Sequence, residues 1–440
     1  GQLIYRGLGW LARKLPKSLT RRRPVTDYVR KRFAGRFADS NRTLGSMLAY
    51  PVDLSAYEGL DTAGAAPVSH AKQRVAQRPC PAIRDRPLQP PAPSRLSQEP
   101  AMRSAFVTGT AGFIGYHLAE ALLARGWQVT GYDGMTDYYD VALKEARHAR
   151  LARHGGFAAH IGRLEDATAL HGALSAAAPE VVIHLAAQAG VRYSLEVPQA
   201  YLDANVTGSR NVLVAARAAG TVQHLLMAST SSIYGANTAM PYAETDRADT
   251  QMSVYAATKK AMESLAHSWA HLYGLPTTLF RFFTVYGPWG RPDMALFKFT
   301  KAILNDQPID VYNRGEMWRD FAYVDDLVQG IIGLIGCMPP APGPGRDAPL
   351  AGGSQSPVAP WRTVNIGNSR KVRLTEFIDA IETATGRTAT RNLMPMQPGD
   401  VPATWADCSL LTQLCGPLPA TPLADGVSRF VDWYRDYYRS

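Results

Sequence analysis

Cysteine is scarce in this chain. Four cysteines, Cys80, Cys337, Cys408 and Cys415, occur in 440 residues and form no metal-ligand spacing. A disulfide framework and a cysteine metal site are therefore excluded as organising devices, and a reducing, cytoplasmic setting is expected. No apolar run approaches the roughly 18 residues a membrane-spanning helix needs, so no span is expected. Acidic residues are also few at one end: residues 1–100 carry 18 Lys+Arg against 7 Asp+Glu, whereas the rest of the chain carries 29 against 30. The net charge of +10 thus belongs to the N-terminal segment. The near-neutral body shows no electrostatic footprint for nucleic acid.

The N-terminal hundred residues lack the periodicity of the remainder. Seven prolines fall between Pro79 and Pro100 with no apolar repeat, so 79–101 reads as a linker. Residues 1–78 read as a basic appendage of unknown fold. A remnant of a fused domain, or a surface-membrane helix at Leu3 to Leu19, are the alternatives. Met102 would be a natural start for a self-sufficient enzyme.

From Arg103 onward the chain alternates. Strands are expected at Ala105 to Thr108, Trp127 to Tyr132, Phe157 to Ile161, Val181 to Leu185, His224 to Ser229 and Thr277 to Phe283. Helical segments separate them, among them Ala167 to Ala177, Pro198 to Ala219 and Ser253 to Tyr273. Short apolar strands with helical crossovers imply an α/β fold, a Rossmann-type doubly wound parallel sheet over 102–286. The less regular 287–440 reads mainly as a smaller C-terminal α/β substrate lobe, interrupted by a Pro/Gly/Ser-rich loop from Met338 to Pro360.

Chemistry concentrates at the strand ends. Gly109-x-x-Gly112-x-x-Gly115 follows the first strand and opens a helix, where a backbone without side chains can approach a pyrophosphate. Asp133, closing the second strand, is placed to accept from a ribose 2'-hydroxyl, which favours NAD over NADP. Tyr255 and Lys259 are four apart and share one helix face. An ammonium beside a phenol favours phenolate, so Lys259 is expected to lower the Tyr255 pKa and make it a general base, with Thr230 hydrogen-bonding the substrate hydroxyl.

Taken with His184-Leu-Ala-Ala-Gln188, Asn205, Thr230-Ser-Ser-Ile-Tyr-Gly235 and Arg281-Phe-Phe-Thr284-Val-Tyr-Gly-Pro288, these motifs resemble the extended short-chain dehydrogenase/reductases acting on nucleotide sugars. Asp137-Tyr-Tyr-Asp140, Ala189-Gly-Val-Arg192, Arg291-Pro-Asp-Met294, Arg319-Asp320-Phe and Gln397-Pro-Gly-Asp400 narrow the resemblance to the UDP-glucuronate 4-epimerases, over 102 to about 438. The resemblance implies a cytoplasmic homodimer that uses tightly held NAD. Tyr255 would take the sugar 4-hydroxyl proton, assisted by Lys259 and Thr230, and the hydride removed from C4 would return to the opposite face. It assigns Gly109, Gly112, Phe113, Ile114, Gly115, Asp133, Leu185, Asn205, Tyr255 and Lys259 to the cofactor. Asp166, or backbone groups, would meet adenine, because Arg163-Leu-Glu-Asp166 departs from the usual Asp-Leu-x-Asp. The UDP-sugar falls to Arg192, Thr230, Ser231, Ser232, Thr284, Arg291, Arg319 and Asp400. Among these, Arg291 is the expected discriminator of a uronate, Arg319 the diphosphate partner and Asp400 a UDP contact.

Related dehydratases carry Thr-Asp-Glu, and decarboxylases Thr-Ser-Glu, where this chain has Thr230-Ser231-Ser232. Hydroxyls cannot replace a carboxyl as an acid. The pattern therefore favours epimerisation, with decarboxylation, dehydration, another UDP-sugar, or a non-catalytic dinucleotide sensor as the alternatives.

Overall fold

The structure, a computed structural model, describes residues 103–343, 350–397 and 400–439. The expected appendage at 1–78, the linker at 79–101 and Met102 lie outside them.

A seven-stranded parallel sheet organises the described chain. It comprises β1 (Ser104–Thr108), β2 (Gln128–Asp133), β3 (Phe157–Ile161), β4 (Val181–His184), β5 (His224–Thr230), β6 (Thr277–Phe282) and, much later in sequence, β10 (Trp361–Ile366). Its order is β10-β6-β5-β4-β1-β2-β3. Strand order reverses between β1 and β4, and ligands of such sheets bind in the crevice beyond that point.

Both faces of the sheet are covered, and successive strand residues point to opposite sides. Ala105 and Val107 of β1 and Ile183 of β4 join one core, which includes Leu118 and Leu122 of α1 (Phe113–Leu123). Phe106 and Val182 join the other. That second core packs against α3 (Ala167–Ala177), α4 (Ser209–Ala219) and α5 (Val254–Tyr273). Helix starts follow from short polar side chains: Asp140 accepts from Ala142 N before α2 (Val141–Leu151), Asp166 from Ala169 N before α3, and Ser253 from Ala256 N before α5. Gly274, at φ +68°, ends α5 in the left-handed conformation glycine tolerates.

Two features differ from the sequence reading. The expected helix from Pro198 to Ala219 is interrupted by a π-helical turn over Leu202–Gly208. Such turns widen a helix and redirect a side chain inward, here Asn205. The other feature is β10, which lies beyond the Met338–Pro360 loop yet pairs with β6 in the main sheet. The segment after Gly287 therefore supplies an edge strand to the sheet as well as the lobe. The lobe itself contains β7 (Thr284–Tyr286), α6 (Ala295–Leu304), β8 (Ile309–Val311), β9 (Trp318–Tyr323), β11 (Lys371–Arg373), α8 (Leu374–Thr385), β12 (Arg391–Leu393), β13 (Ala403–Thr404) and α10 (Leu423–Tyr438). An aromatic core of Phe297, Phe321, Phe377 and Phe430 holds it together. Helices α7 (Val324–Ile335) and α9 (Ser409–Cys415) return to the main sheet core. Among the described residues, no helix is long and apolar enough to cross a membrane.

Candidate active site

Two cavities open at the carboxyl ends of the strands and meet at shared walls. The first, of about 290 Å³, is lined by Gly109, Gly112, Phe113, Ile114, Gly115, Asp133, Leu185, Thr230, Tyr255, Lys259 and Arg291. Its floor is the turn between β1 and α1. A Cβ at Gly115 would fall 2.0 Å from Gly109 O, and one at Gly109 (φ +84°) 2.8 Å from Ala186 N, so this close approach needs glycine. No side chain caps the start of α1, which leaves its N–H groups available to an anion. Buried Asp133 accepts from Ala111 N and Met135 N, both at 2.9 Å, fixing the carboxylate at the end of β2 with lone pairs to spare. A glycine cradle, an uncapped helix start and a carboxylate on the next strand together suit a dinucleotide.

The junction of β1 and β4 is locked from behind. Thr108 Oγ1 accepts from Leu185 N and Ala186 N, both at 3.1 Å, and lies 2.8 Å from His184 Nδ1. Burial holds the His184 pKa down to about 3, so the ring is neutral and accepts from the threonine hydroxyl. His184 is structural.

Tyr255 and Lys259 project from the first turns of α5 into this cavity, and Tyr255 also walls the second. The expected pKa coupling is not found. Burial raises the Tyr255 pKa, against the lowering effects of a hydrogen bond with Thr230 and of the Arg291 charge. The ammonium of Lys259 instead donates to Ala228 O at 2.8 Å. Burial lowers its own pKa to about 8, opposed by Glu263 one turn further along α5. The groups that favour Tyr255 phenolate are thus Thr230 and Arg291, the second of them far away in sequence.

The second cavity, of about 510 Å³, is lined by Arg192, Thr230, Ser231, Ser232, Tyr255, Thr284, Arg291, Arg319 and Asp400. It is cationic. Arg192 stacks 4.5 Å over the Tyr312 ring and lies 3.5 Å from Asp400. Arg319 donates to Trp318 O at 2.8 Å, and burial lowers its pKa against the charge of Asp400. Thr230 Oγ1 accepts from Ser232 N and donates to Ser232 Oγ, both at 3.2 Å, which orders the hydroxyl cluster.

Two expected cofactor residues are not at the cavity walls. Asp166 is exposed and spends its carboxylate on capping α3; the cavity wall there is Arg163, Leu164 and Glu165. Asn205 is fully buried, because the π-helical turn points it at the Gln188 backbone. There Asn205 accepts from Gln188 N at 2.9 Å and donates to Gln188 O at 3.0 Å and Thr258 Oγ1 at 3.1 Å. It orders the loop after β4 without facing the cavity.

Other residues at the site went unread in the sequence. Arg291 is paired: Nε and Nη2 donate to Asp293 at 3.0 and 2.5 Å, and Tyr138 OH donates to the same carboxylate at 3.2 Å. Burial would raise the Asp293 pKa, but Arg291 outweighs it and keeps the carboxyl ionised. Behind β5, Glu263 accepts from Ser229 Oγ at 2.7 Å and from both Nε and Nη2 of Arg281 at 3.1 and 3.0 Å. The period-four continuation Tyr255, Lys259, Glu263 on α5 was the available signal for it. Among the described residues, no group of three or more His, Cys, Asp or Glu could hold a metal ion.

Residues 105–336 match the NAD dependent epimerase/dehydratase family. The chain is 57% identical over 334 residues to a probable UDP-glucuronate 4-epimerase of Rhizobium meliloti, covering 76% of this chain and 97% of that one. It is 44% identical to UDP-glucuronate 4-epimerase 1 of Arabidopsis thaliana, covering 76% and 77%. Among solved structures it resembles a UDP-glucuronic acid 4-epimerase of Bacillus cereus in complex with UDP-glucuronic acid and NAD. The TM-score is 0.67 and the identity 30%, covering 76% of this chain and all of that one.

Proposed function

The chain belongs to the NAD-dependent epimerase/dehydratase family, and from that premise we propose that it converts UDP-glucuronate to UDP-galacturonate by NAD-dependent 4-epimerisation through a 4-keto sugar. The observation that carries this reading is the shared wall of the two cavities. Tyr255, Thr230 and Arg291 line both, so a base, a hydroxyl and a guanidinium converge where a sugar would meet the cofactor.

Bound NAD supplies a hydride acceptor for C4 and a donor to its opposite face. This chain's residues do the rest. Tyr255 takes the 4-hydroxyl proton and later returns it; Thr230 and Arg291 favour its ionised form. Lys259 carries its charge beside the cofactor, and Asp133 and the glycine turn hold the dinucleotide. Arg319 receives the UDP phosphates, with Asp400 as a further UDP contact, and Arg192, on the wall of the same cavity as Arg291, assists on the sugar side. Ser231, Ser232, Thr284 and Arg291 hold the sugar carboxylate against loss as carbon dioxide, to which a β-keto acid is prone.

Elimination of a hydroxyl, and directed protonation of C5 after loss of carbon dioxide, call for an acid at the sugar. The carboxylate nearest Arg291 is Asp293, which its salt bridge keeps ionised. Epimerisation is therefore favoured. We further propose a homodimer, supported by exposed apolar side chains at Val214 on α4 and Leu272 on α5, and a cytoplasmic enzyme, where its nucleotide sugar and free thiols Cys337, Cys408 and Cys415 fit. Sedimentation as a clean monomer would remove the dimer.

The test is incubation of the full chain with UDP-glucuronate and no added cofactor, followed by proton NMR. A UDP-galacturonate signal growing to a stable ratio supports the reading. A UDP-pentose as the main product, or no change after NAD is added, rejects it.

A further inference from the structure

Arg147, on α2, is fully buried and forms no ion pair with any of the described residues. A guanidinium buried without a carboxylate is costly, so the contacts it does make must be specific. Nη1 donates to Ala111 O at 2.7 Å and to Tyr139 OH at 2.8 Å. Nη2 donates to Trp289 O at 2.6 Å and to Gly290 O at 3.3 Å.

Each partner belongs to the site. Ala111 lies inside the glycine turn. Tyr139 lines the first cavity. Trp289 and Gly290 immediately precede Arg291, which lines both cavities. One rigid fork therefore joins the turn that cradles the dinucleotide to the loop that delivers the guanidinium for the substrate. A planar guanidinium can reach several carbonyls at once in fixed directions, which an ammonium cannot.

We propose that Arg147 is a positioning residue that fixes the glycine turn and the Trp289–Arg291 loop in one geometry, coupling NAD binding to the hold on the sugar carboxylate. This rests on the functional reading above. When the fork is lost the turn loosens and Arg291 drifts. A poorly held 4-keto uronate then decarboxylates: the bond from C5 to the carboxyl carbon breaks, its electron pair forms the enolate with the C4 oxygen, carbon dioxide leaves, and C5 takes a proton. The resulting UDP-4-keto-pentose becomes UDP-pentose when the hydride earlier removed from C4 returns to it and Tyr255 returns the proton to its oxygen.

The experiment compares the full chain with Arg147→Met and Arg147→Lys. NAD affinity is measured by titrating cofactor-stripped protein with NAD and following tryptophan fluorescence, and the UDP-pentose to UDP-galacturonate ratio by NMR. Arg147→Met is expected to weaken NAD binding by about tenfold or more and raise the pentose share several-fold. Arg147→Lys keeps the charge and recovers part of the affinity, but not the product ratio. A residue that only supports the fold would move the melting temperature and neither readout. Wild-type affinity together with the wild-type product ratio in Arg147→Met overturns the proposal; if that variant does not fold, the same result in Arg147→Lys does so. If the wild type makes no UDP-galacturonate, the functional reading fails, and the affinity comparison alone decides whether Arg147 sets the turn.

Discussion

The two cavities that meet at Tyr255 are built differently. The cofactor cavity stands on the main sheet: its glycine turn, Asp133 and Lys259 sit at strand ends or in the first turns of helices, and their polar atoms are committed to nearby backbone, as Asp133 is to Ala111 N and Lys259 to Ala228 O. The substrate cavity is walled largely by short strands and loops of the lobe, and its charges are unevenly paired: Asp293 holds Arg291 closely, whereas Arg192 reaches Asp400 only at 3.5 Å. One half is pre-organised by secondary structure. The other leans on one long-range ion pair, Arg192 with Asp400, and one within a loop, Arg291 with Asp293, and its specificity is correspondingly easier to alter.

The largest effect should come from the wall both share. Tyr255→Phe removes the proposed base and should lower kcat by about 10³-fold, within the range for general-base loss. NAD should remain bound, which release and quantification of the cofactor checks; activity within tenfold of wild type would reject Tyr255 as the base. On the substrate side, Arg291→Ala should cost about 10²-fold in kcat/KM for UDP-glucuronate, the scale of losing a buried charged contact, and raise the pentose share in NMR. An equal loss on UDP-glucose would show that Arg291 does not read the carboxylate.

Lys259 gives the comparison a pH axis. Its folded pKa of about 8 lies below the ordinary 10.5, because burial penalises the ammonium. Between those values the unfolded chain holds more protons than the folded one, so the contribution of Lys259 to stability rises with pH across that window. Lys259→Met should raise the melting temperature at pH 7 and flatten its dependence on pH between 8 and 10, as calorimetry would show. An unchanged slope would mean that the ammonium is not destabilised by burial.

The smallest effect belongs to Asp166. Asp166→Ala should cost about 1 kcal/mol through loss of the α3 cap and leave NAD affinity within about twofold, by melting and by titration. Weaker binding of NAD would return Asp166 to the cofactor.

The same division explains what the sequence could show. The cofactor half is written in short motifs whose spacing encodes geometry: Gly109 to Gly115 on one turn, Tyr255 and Lys259 on one helix face. The strands from Ala105 to Phe283 were legible because their apolar runs fill a sheet buried on both sides. The substrate half gathers Arg192, Thr284, Arg291, Arg319 and Asp400 from five segments that share no local period, and only family resemblance drew them together. Spacing shows which side chains share a face but not which partner each one finds: Asp166 caps α3, and Lys259 donates to Ala228 O at 2.8 Å. The pairing of Arg291 with Asp293, two residues on, is local; the fork of Arg147 depends on tertiary closure, which no local pattern announces. The strand Trp361–Ile366 was hidden for the same reason, since its neighbour β6 lies far back in the chain.

The most direct test of the account is the fate of the C4 hydrogen. UDP-glucuronate deuterated at C4 is incubated with the full chain in ordinary water, and the product is read by NMR and mass spectrometry. Oxidation and re-reduction in this site predict UDP-galacturonate with the deuterium retained at C4. A solvent hydrogen at that position in UDP-galacturonate would contradict it.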